Sequence, residues 1–373
     1  MAEHYLLTGA TGFVGGAIIL ELLEQTEADL SCVVRARSDA MATERLKGTL
    51  RRAAQVYGRT DLVGEIDGRC RGVAGDLTLP DLGVTSNLGR VDQVWHVAAS
   101  LAFEDSGKDE ILTQNVQGTR HTVALAKRFG VCVFNHVSTA YVSGRRTGPI
   151  TPDPVSHDGD CNNWYERSKV AAELVVTSAG FDCLRIFRPS VVIGHSETRG
   201  TASNSGLYGF VSALTQYRAE LTPLLGDVLA TRPLRLRMAP DSLTNYVPVD
   251  RVAAAAVGVA RASDQSGIYH LANFEQLPVG AMLKAVFDAL GLPEPACVAD
   301  ESDLALVDLK ADRLCTFYRH YTNGTREFDL DSVEQLIGRD LLNVSMSQER
   351  LAEFIDVFLQ NTGGHKAEAS HES

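Results

Sequence analysis

Short apolar runs alternate with amphipathic segments through the first half of the chain. The runs at 5–7, 30–34, 70–74, 94–99, 131–137 and 183–187 are predicted to be strands, while 17–25, 41–56 and 110–129 show helical patterns. Continuous rather than alternating apolar character is typical of strands that are buried on both faces of a parallel sheet. The order of strands and helices therefore predicts an α/β fold, a doubly wound parallel sheet of the Rossmann type.

This alternation ends near residue 195. Residues 247–250 and 268–271 are predicted to add strands, with a helix from Arg251 to Arg261 that Asp250 is expected to cap. The pattern predicts a nucleotide-binding Rossmann domain from 1–195 plus 241–275. Residues 196–240 plus 276–361 are predicted to form a smaller, mostly helical substrate-binding lobe at the C-terminal side. The polar residues 362–373 are expected to be a disordered tail.

A glycine-rich turn follows the first predicted strand and precedes the first predicted helix. It contains Gly9, Thr11, Gly12, Phe13, Val14 and Gly15. Strand, glycine turn and helix in this order indicate a dinucleotide-binding unit, although the first two glycines lie one residue further apart than in the commonest fingerprint. Gly9 would permit the tight turn, Gly12 would let backbone N–H groups approach a pyrophosphate, and Gly15 would allow the helix to pack closely on the strand.

The end of the second predicted strand favours a phosphorylated cofactor. An acidic residue at this distance from the glycines would bind the adenosine ribose of NAD, but the chain has Arg35 and Arg37 instead. Guanidinium groups suit a 2′-phosphate, so NADP(H) is favoured over NAD(H). The alternative is that both arginines only solvate the end of the strand.

Two further strand ends are candidates for contact with the same cofactor. Asp76 follows the third strand, where its carboxylate is suited to accept a hydrogen bond from an adenine amino group or, alternatively, to form a turn. Ala98 and Ala99 end the fourth strand, and their small side chains leave room for a cofactor across the strand end. His96 is interpreted as a core histidine.

The candidate chemistry centres on Tyr165 and Lys169. On a helix these residues lie one turn apart on the same face, although this spacing also occurs by chance. A phenol with a pKa near 10 is a poor acid at neutral pH, and a nearby ammonium group favours the phenolate. Ser138 and Thr139 end the fifth predicted strand, where hydroxyl groups face the ligand crevice of a parallel sheet.

Charge and cysteine content narrow the class of protein. The net charge of −12 gives no general attraction for nucleic acid or for anionic membranes. The seven cysteines are odd in number and contain no Cys-x-x-Cys pair, which predicts neither a disulfide framework nor a metal site. With no signal peptide and no apolar run of membrane-spanning length, a cytoplasmic location is expected.

Together these motifs resemble the extended branch of the short-chain dehydrogenase/reductase family. The residues that carry the resemblance are Thr8 to Gly15, Gly75-Asp76-Leu77, His96 to Ala99, Asn115, Ser138-Thr139-Ala140, Tyr165 with Lys169, and Arg188-Pro189-Ser190. Within this family, residues 137–142, 162–165 and 245–250 are similar to the thioester reductase and fatty acyl reductase group.

The resemblance implies roles for the matching residues. Tyr165 would donate a proton to the substrate carbonyl oxygen, and Lys169 would hold the nicotinamide ribose and lower the pKa of the tyrosine. Thr139 would bind the same oxygen, with Ser138 as the second candidate. The cofactor-binding residues would include Leu77, Asn115, Pro189 and Ser190.

The expected function is an NADPH-dependent reductase of a small-molecule carbonyl substrate, either an acyl thioester or a free ketone. A thioester would be carried on coenzyme A or a carrier protein. Arg232, Arg235 and Arg237 would bind the phosphate of a pantetheine arm or, alternatively, only solvate a strand edge. The oligomeric state is expected to be a monomer or a homodimer.

Two alternative functions share the fold. A nucleotide-sugar epimerase or dehydratase would usually carry an arginine where Thr244 and Asn245 stand. A non-catalytic NADP-binding regulator would tend to lose the pair formed by Tyr165 and Lys169.

Overall fold

A parallel sheet of seven strands forms the centre of the nucleotide-binding half. The structure is a computed structural model that describes residues 2–101, 107–155, 160–226 and 228–369. In the described residues the strands are β1 His4–Thr8, β2 Asp29–Val34, β3 Cys70–Ala74, β4 Gln93–His96, β5 Val133–Val137, β6 Gly148–Ile150, β7 Cys183–Pro189, β8 Val191–Ile193, β9 Arg235–Leu236, β10 Leu243–Thr244, β11 Tyr246–Pro248, β12 Gly267–Leu271, β13 Leu277–Pro278, β14 Ala296–Cys297 and β15 Arg326–Phe328.

The helices cover this sheet and build a second unit beside it. Their bounds are α1 Phe13–Gln25, α2 Asp39–Val56, α3 Val63–Arg69, α4 Lys108–Leu112, α5 Gly118–Arg128, α6 Trp164–Thr177, α7 Leu207–Leu225, α8 Val249–Ala262, α9 Val279–Ala289, α10 Leu306–Leu314, α11 Thr316–Thr322, α12 Asp331–Ile337 and α13 Gln348–Ala369. Within the described ranges, no helix is both long enough and apolar enough to cross a membrane.

The sheet has the strand order β12-β7-β5-β4-β1-β2-β3, and all its neighbouring strands are parallel. The order reverses direction between β1 and β4, which is the topological switch point of a doubly wound sheet. The predicted Rossmann-type fold is therefore confirmed. Ligands of such sheets bind at the carboxyl ends of the strands beside this point.

The apolar runs of the sequence are explained by burial on both faces of the sheet. In β1, Tyr5 and Leu7 pack in a core cluster with α1, α2 and α8, whereas Leu6 packs in a second cluster with α5. Adjacent side chains of a strand point to opposite faces, so a strand with helices on both sides is mostly apolar on both faces.

A separate apolar core lies in the second half of the chain. It contains buried residues of α7, α9 and α13, among them Tyr208, Phe287 and Phe354. Residues 276–361 do not all belong to it, because Val333 and Leu342 pack in the core that includes α8. Strand β15 also pairs in parallel with β6. The C-terminal stretch therefore contributes to both units, unlike the predicted simple division.

Three local elements differ from the sequence predictions. The predicted helix 110–129 is divided by a π-helical turn at Thr113–Gln117. Asp250 does not cap α8 but lies in its first turn, where its carboxylate accepts hydrogen bonds from the N–H and hydroxyl of Ser196 at 2.7 and 2.5 Å. Helix α13 continues to Ala369, beyond the start of the predicted tail, while 370–373 lie outside the described residues.

Candidate active site

A cavity of about 680 Å³ lies at the carboxyl ends of the sheet strands and extends to the second core. Nearly all of the predicted site residues line it. These are Gly9, Thr11, Gly12, Phe13, Val14, Gly15, Arg35, Asp76, Leu77, Ala98, Ala99, Ser138, Thr139, Tyr165, Lys169, Pro189 and Ser190. Arg37 and Asn115 are outside this wall. Residues from six strand ends and from two helices, α1 and α6, thus meet around a single space.

The glycine turn leaves no room for side chains. Gly9 has a φ of 77°, and a Cβ atom there would lie 2.5 Å from the backbone nitrogen of Ala98. A Cβ atom on Gly15 would lie 2.1 Å from the carbonyl oxygen of Gly9. The turn is closed by a 2.9 Å hydrogen bond from the N–H of Gly12 to the same oxygen. Because α1 begins directly afterwards, its N-terminal N–H groups face the cavity and suit a pyrophosphate.

The cavity wall at the end of β2 contains Arg35 but not Arg37. Arg35 and Arg45 line the wall, and the Arg45 guanidinium donates to the Arg35 carbonyl oxygen at 2.9 Å. Arg45 lies on α2, 10 positions after Arg35 in sequence, and was not among the predicted site residues. Asp76 forms the turn that was the alternative interpretation, accepting from the N–H and hydroxyl of Thr78 at 2.9 Å, and also lines the cavity.

Lys169 is almost completely buried. Its ammonium group donates to the carbonyl oxygen of Val137 at 2.7 Å. Burial lowers the pKa of Lys169 to about 8, and the nearby carboxylate of Glu173 acts in the opposite direction. The group therefore remains mostly charged at neutral pH, in a position between β5 and α6.

Tyr165 lies on the first turn of α6. Burial raises its pKa to about 12, while a hydrogen bond with the Thr139 side chain lowers the pKa and the charge of Glu166 raises it further. In the protein alone, desolvation outweighs the favourable contacts of this phenol, and a lowering of its pKa by Lys169 stays a prediction. Tyr165 is consequently protonated at neutral pH, which is the state that a proton donor requires.

Two hydroxyl groups accompany the phenol. Thr139 bonds to Tyr165 and also accepts from the N–H of Tyr141 at 3.3 Å. Ser138 is buried and lines the cavity, and its hydroxyl has no hydrogen-bond partner among the described residues. A buried hydroxyl without a partner is costly unless a ligand satisfies it. Ser138 therefore has the free hydrogen-bonding capacity, whereas Thr139 orients the phenol.

Asn115 lies behind the cavity wall, on the π-helical turn. Its side-chain oxygen accepts from the N–H of Ser100 at 2.7 Å, and its amide nitrogen donates to the hydroxyl of Ser168 at 2.8 Å. Ser100 itself lines the cavity. Asn115 thus connects one wall of the site to α6. π-Helical turns are frequent at functional sites because they re-aim one side chain within a helix.

A chain of hydrogen bonds from Ser190 through Asn245 to Asn273 holds the floor of the cavity beside β7. The Ser190 hydroxyl donates to the side-chain oxygen of Asn245 at 2.6 Å, and the amide nitrogen of Asn245 donates to the Asn273 carbonyl oxygen at 2.8 Å. Asn245 therefore has a structural contact at the position where the epimerase alternative would require an arginine.

The opposite wall comes from residues of the predicted substrate-binding lobe, none of which was named individually as a site residue. It is mostly apolar and aromatic, and includes Leu207, Phe210, Met282, Phe317, Tyr318 and Tyr321. These residues come from α7, α9 and α11, and only the tertiary fold brings them together. No spacing within the sequence distinguishes them from ordinary core positions.

The arginines at 232, 235 and 237 are occupied by internal contacts. Arg232 forms a bidentate ion pair with Asp308 at 2.7 and 2.8 Å, and Arg237 forms an ion pair with Asp312 at 2.6 Å. Arg235 donates to the carbonyl oxygen of Asp303 at 2.8 Å. None of the three arginines lines the cavity, so the phosphate-binding interpretation is not supported, whereas Arg235 is exposed on β9, as the alternative of a solvated strand edge predicts. Within the part of the chain that is described, no three His, Cys, Asp or Glu side chains cluster in a manner suited to a metal ion.

A protein-family model and several curated proteins match this chain in sequence. The model of the family described as male sterility protein matches residues 7–256. The isonitrile lipopeptide synthase of Mycobacterium tuberculosis is 31% identical over 226 residues, which are 54% of this chain and 9% of that protein. Fatty acyl-CoA reductase 1 of Xenopus laevis is 27% identical over 223 residues, 51% of this chain and 43% of that protein. The chain thus spans less than half the length of these curated relatives.

Solved structures share the fold along nearly the whole chain. The terminal R domain from the myxalamid PKS-NRPS biosynthetic pathway superposes with a TM-score of 0.75 at 23% identity, covering 97% of this chain and 91% of that one. The complex of MoeE5 with UDP-glucuronic acid and NAD gives a TM-score of 0.62 at 18% identity, covering 96% and 99%. Since the family model covers most of the sheet and the cavity wall that it builds, the chain belongs to the male sterility protein family, within the extended short-chain dehydrogenase/reductases.

Proposed function

We propose that this protein is an NADPH-dependent reductase that reduces a carbonyl group, with Tyr165 as the proton donor. The observation that carries the proposal is the hydrogen bond between Tyr165 and Thr139 in the wall of the cavity that also contains the glycine turn. The protonated phenol of Tyr165, the hydroxyl of Ser138 and the glycine turn therefore line the same cavity. That arrangement suits the neutralisation of negative charge that develops on a carbonyl oxygen.

The residues of the cavity fit a phosphorylated nicotinamide cofactor. The turn at Gly9, Gly12 and Gly15 would hold the pyrophosphate, and Arg35 with Arg45 would hold a 2′-phosphate. Arg37 has no such role in this proposal because it does not line the cavity. When bound, NADPH supplies the hydride that the reduction requires.

The side chains of the chain itself perform the acid–base work. Tyr165 donates its phenolic proton to the carbonyl oxygen of the substrate as the negative charge forms there. The hydroxyl of Ser138 donates a hydrogen bond to the same oxygen, and Thr139 holds the phenol in place. Lys169 supplies a positive charge beneath the site that favours the resulting phenolate, and would also hold the nicotinamide ribose.

The aromatic wall supports an acyl thioester with an apolar acyl group over a small polar ketone. Phe210, Met282 and Phe317 contribute the apolar surface that such an acyl group would cover. The matched Xenopus laevis relative is a fatty acyl-CoA reductase by name, which supports the same substrate class. A thioester carried on coenzyme A or on a carrier protein is therefore the proposed substrate, with an aldehyde or an alcohol as the product.

Two further properties belong to this proposal. Five of the seven cysteines are buried, where a thiol acts as a small apolar side chain, and a reducing compartment such as the cytoplasm stays the proposed location. A monomer or a homodimer stays the proposed oligomeric state.

The deciding experiment measures NADPH oxidation with a panel of acyl-coenzyme A thioesters, aldehydes, ketones and UDP-sugars. Turnover of thioesters or their aldehydes is expected, and Tyr165→Phe should reduce kcat by about 10²- to 10⁴-fold while NADPH still binds. Loss of NADPH binding in Tyr165→Phe would show that the proton-donor role is wrong. Conversion of a UDP-sugar without net oxidation of NADPH would favour the epimerase alternative instead.

A further inference from the structure

We infer that Tyr321 is a positioning residue for Tyr165, because its hydroxyl joins the second core to the first turn of α6 through Asn163 and Glu166. The inference rests on the proposed function, since it assigns Tyr165 a catalytic role. It concerns a contact between two units of the fold that lie far apart in sequence.

The first turn of α6 is held by a reciprocal cap. The side-chain oxygen of Asn163 accepts from the N–H of Glu166 at 2.9 Å, and the carboxylate of Glu166 reaches back to the N–H of Asn162 at 2.6 Å. It also accepts from the Asn162 side chain at 3.1 and 3.2 Å. Tyr165 lies between the two capping residues, so the conformation of this turn determines where the phenol points.

Tyr321 completes the same network from the opposite wall. Its hydroxyl accepts from the amide nitrogen of Asn163 at 2.8 Å and bonds to the carboxylate of Glu166. The contact spans 158 positions of sequence between Asn163 and Tyr321. Glu166 is fully buried, and burial raises the pKa of its carboxyl group, while its hydrogen bonds, including the bond from Tyr321, lower it. A buried carboxylate needs such donors to remain ionised.

The ring of Tyr321 faces the space where a substrate would lie. Tyr321 lines the cavity, and its ring packs edge-on against Tyr141 with centroids 4.6 Å apart. It also contacts Phe317, with centroids 5.1 Å apart. Tyr321 therefore touches the substrate wall with its ring and the catalytic helix with its hydroxyl. Any shift of α11 would be transmitted to the first turn of α6.

The test compares Tyr321→Phe with Tyr217→Phe in the full chain. Tyr321→Phe keeps the ring and removes only the bridging hydroxyl. Tyr217→Phe removes a lobe hydroxyl that bonds to the carbonyl oxygen of Val307 and does not line the cavity. With octanoyl-coenzyme A as the probe, or whichever panel member the wild-type protein reduces, Tyr321→Phe should lower kcat about 10- to 100-fold, with KM changed less than about twofold. Tyr217→Phe should leave both constants unchanged.

A second readout does not depend on turnover. Hydrogen exchange of the backbone N–H groups of Asn162 and Glu166 should become about fivefold faster in Tyr321→Phe, and remain unchanged in Tyr217→Phe. Glu166→Gln should also lower kcat, and the double variant with Tyr321→Phe should lose less than the product of the two single effects.

Several outcomes would overturn the inference. A wild-type kcat in Tyr321→Phe would do so, as would a raised KM with unchanged kcat and unchanged exchange, because Tyr321 would then only contact substrate. If the wild-type protein reduces no member of the panel, the proposed function fails, and exchange alone decides the positioning role. Unchanged exchange in that case overturns the inference as well.

Discussion

The ammonium group of Lys169 donates a 2.7 Å hydrogen bond to the carbonyl oxygen of Val137, the residue directly before Ser138 and Thr139. One buried bond thereby fixes α6 against the end of β5. It sets the phenol of Tyr165 and the two hydroxyls on the same side of the cavity. The position of Lys169 is thus structural as well as electrostatic, and its electrostatic effect on the phenol depends on its charge.

The first prediction concerns pH. Because burial lowers the pKa of Lys169 to about 8, the ammonium group is lost as the pH rises through this value, and kcat should fall on the alkaline side with a midpoint near 8. Stability should change in the opposite direction. Between about pH 8 and the ordinary lysine pKa of about 10.4, the unfolded chain binds more protons at this site than the folded protein does. The free energy of unfolding therefore increases as the pH rises through this range.

Both halves of this prediction are measurable with the same two proteins. The kcat of the wild-type protein is followed across the range, and urea unfolding of wild type and Lys169→Met is compared at pH 8 and at about pH 10. The wild-type protein should gain stability relative to the variant as the pH rises. A kcat that stays constant up to about pH 10 would contradict the role of the charge.

The second prediction concerns the choice of cofactor. Arg35→Ala and Arg45→Ala should each weaken NADPH binding by about 10- to 100-fold, since each removes a charged partner of a phosphate, while NADH binding changes little. Arg37→Ala is the matched control, because Arg37 is exposed and does not line the cavity. Titration of protein fluorescence with both nucleotides checks this, and equal losses for NADPH and NADH would remove the 2′-phosphate assignment.

The third prediction separates two adjacent glycines. In Gly15→Ala the new Cβ would lie 2.1 Å from the carbonyl oxygen of Gly9, so the turn has to open and NADPH binding should fall at least about tenfold. In Gly16→Ala the nearest atom would lie 3.8 Å away, so binding should persist and the helix should gain up to about 1 kcal/mol. Binding titrations and urea unfolding of both variants test this pair, and equal behaviour would show that the turn adapts.

The fourth prediction concerns a buried ion pair beneath the site. Arg188 bonds to Glu173 at 2.7 and 3.0 Å, with both side chains nearly inaccessible to solvent. Arg188→Ala should cost about 3–5 kcal/mol, because it leaves a carboxylate buried without its partner. The exposed pair of Lys284 and Asp288 is the control, and Lys284→Ala should cost less than about 1 kcal/mol by urea unfolding. Similar costs for the two variants would refute this account.

Much of the nucleotide-binding half was predictable from the sequence, for a physical reason. Strands buried on both faces are mostly apolar on both faces, and the glycine turn has to lack side chains where Gly15 meets Gly9. Such constraints act on neighbouring residues and therefore leave local patterns. The predicted sheet and the family are confirmed on this basis.

Other features depend on residues far apart in sequence. The role of Asn115 depends on a π-helical turn that re-aims its side chain towards Ser100 and Ser168, and nothing in the helical pattern indicates such a turn. Likewise, Arg232 and Arg237 resemble a phosphate site until Asp308 and Asp312 are brought against them by the fold. The pKa of Tyr165 depends on burial, which spacing to Lys169 does not report.

The pairing of β15 with β6, together with the packing of Val333 and Leu342 near α8, has a consequence for how the polypeptide is divided. A shortened chain that stops at residue 275 would keep every strand of the central sheet, yet it would uncover apolar surface on α8 and leave β6 as an unpaired edge. We therefore expect such a fragment to aggregate rather than fold independently. The nucleotide-binding part of the fold is thus not expected to work as a separate domain, because residues 326–342 cover part of it.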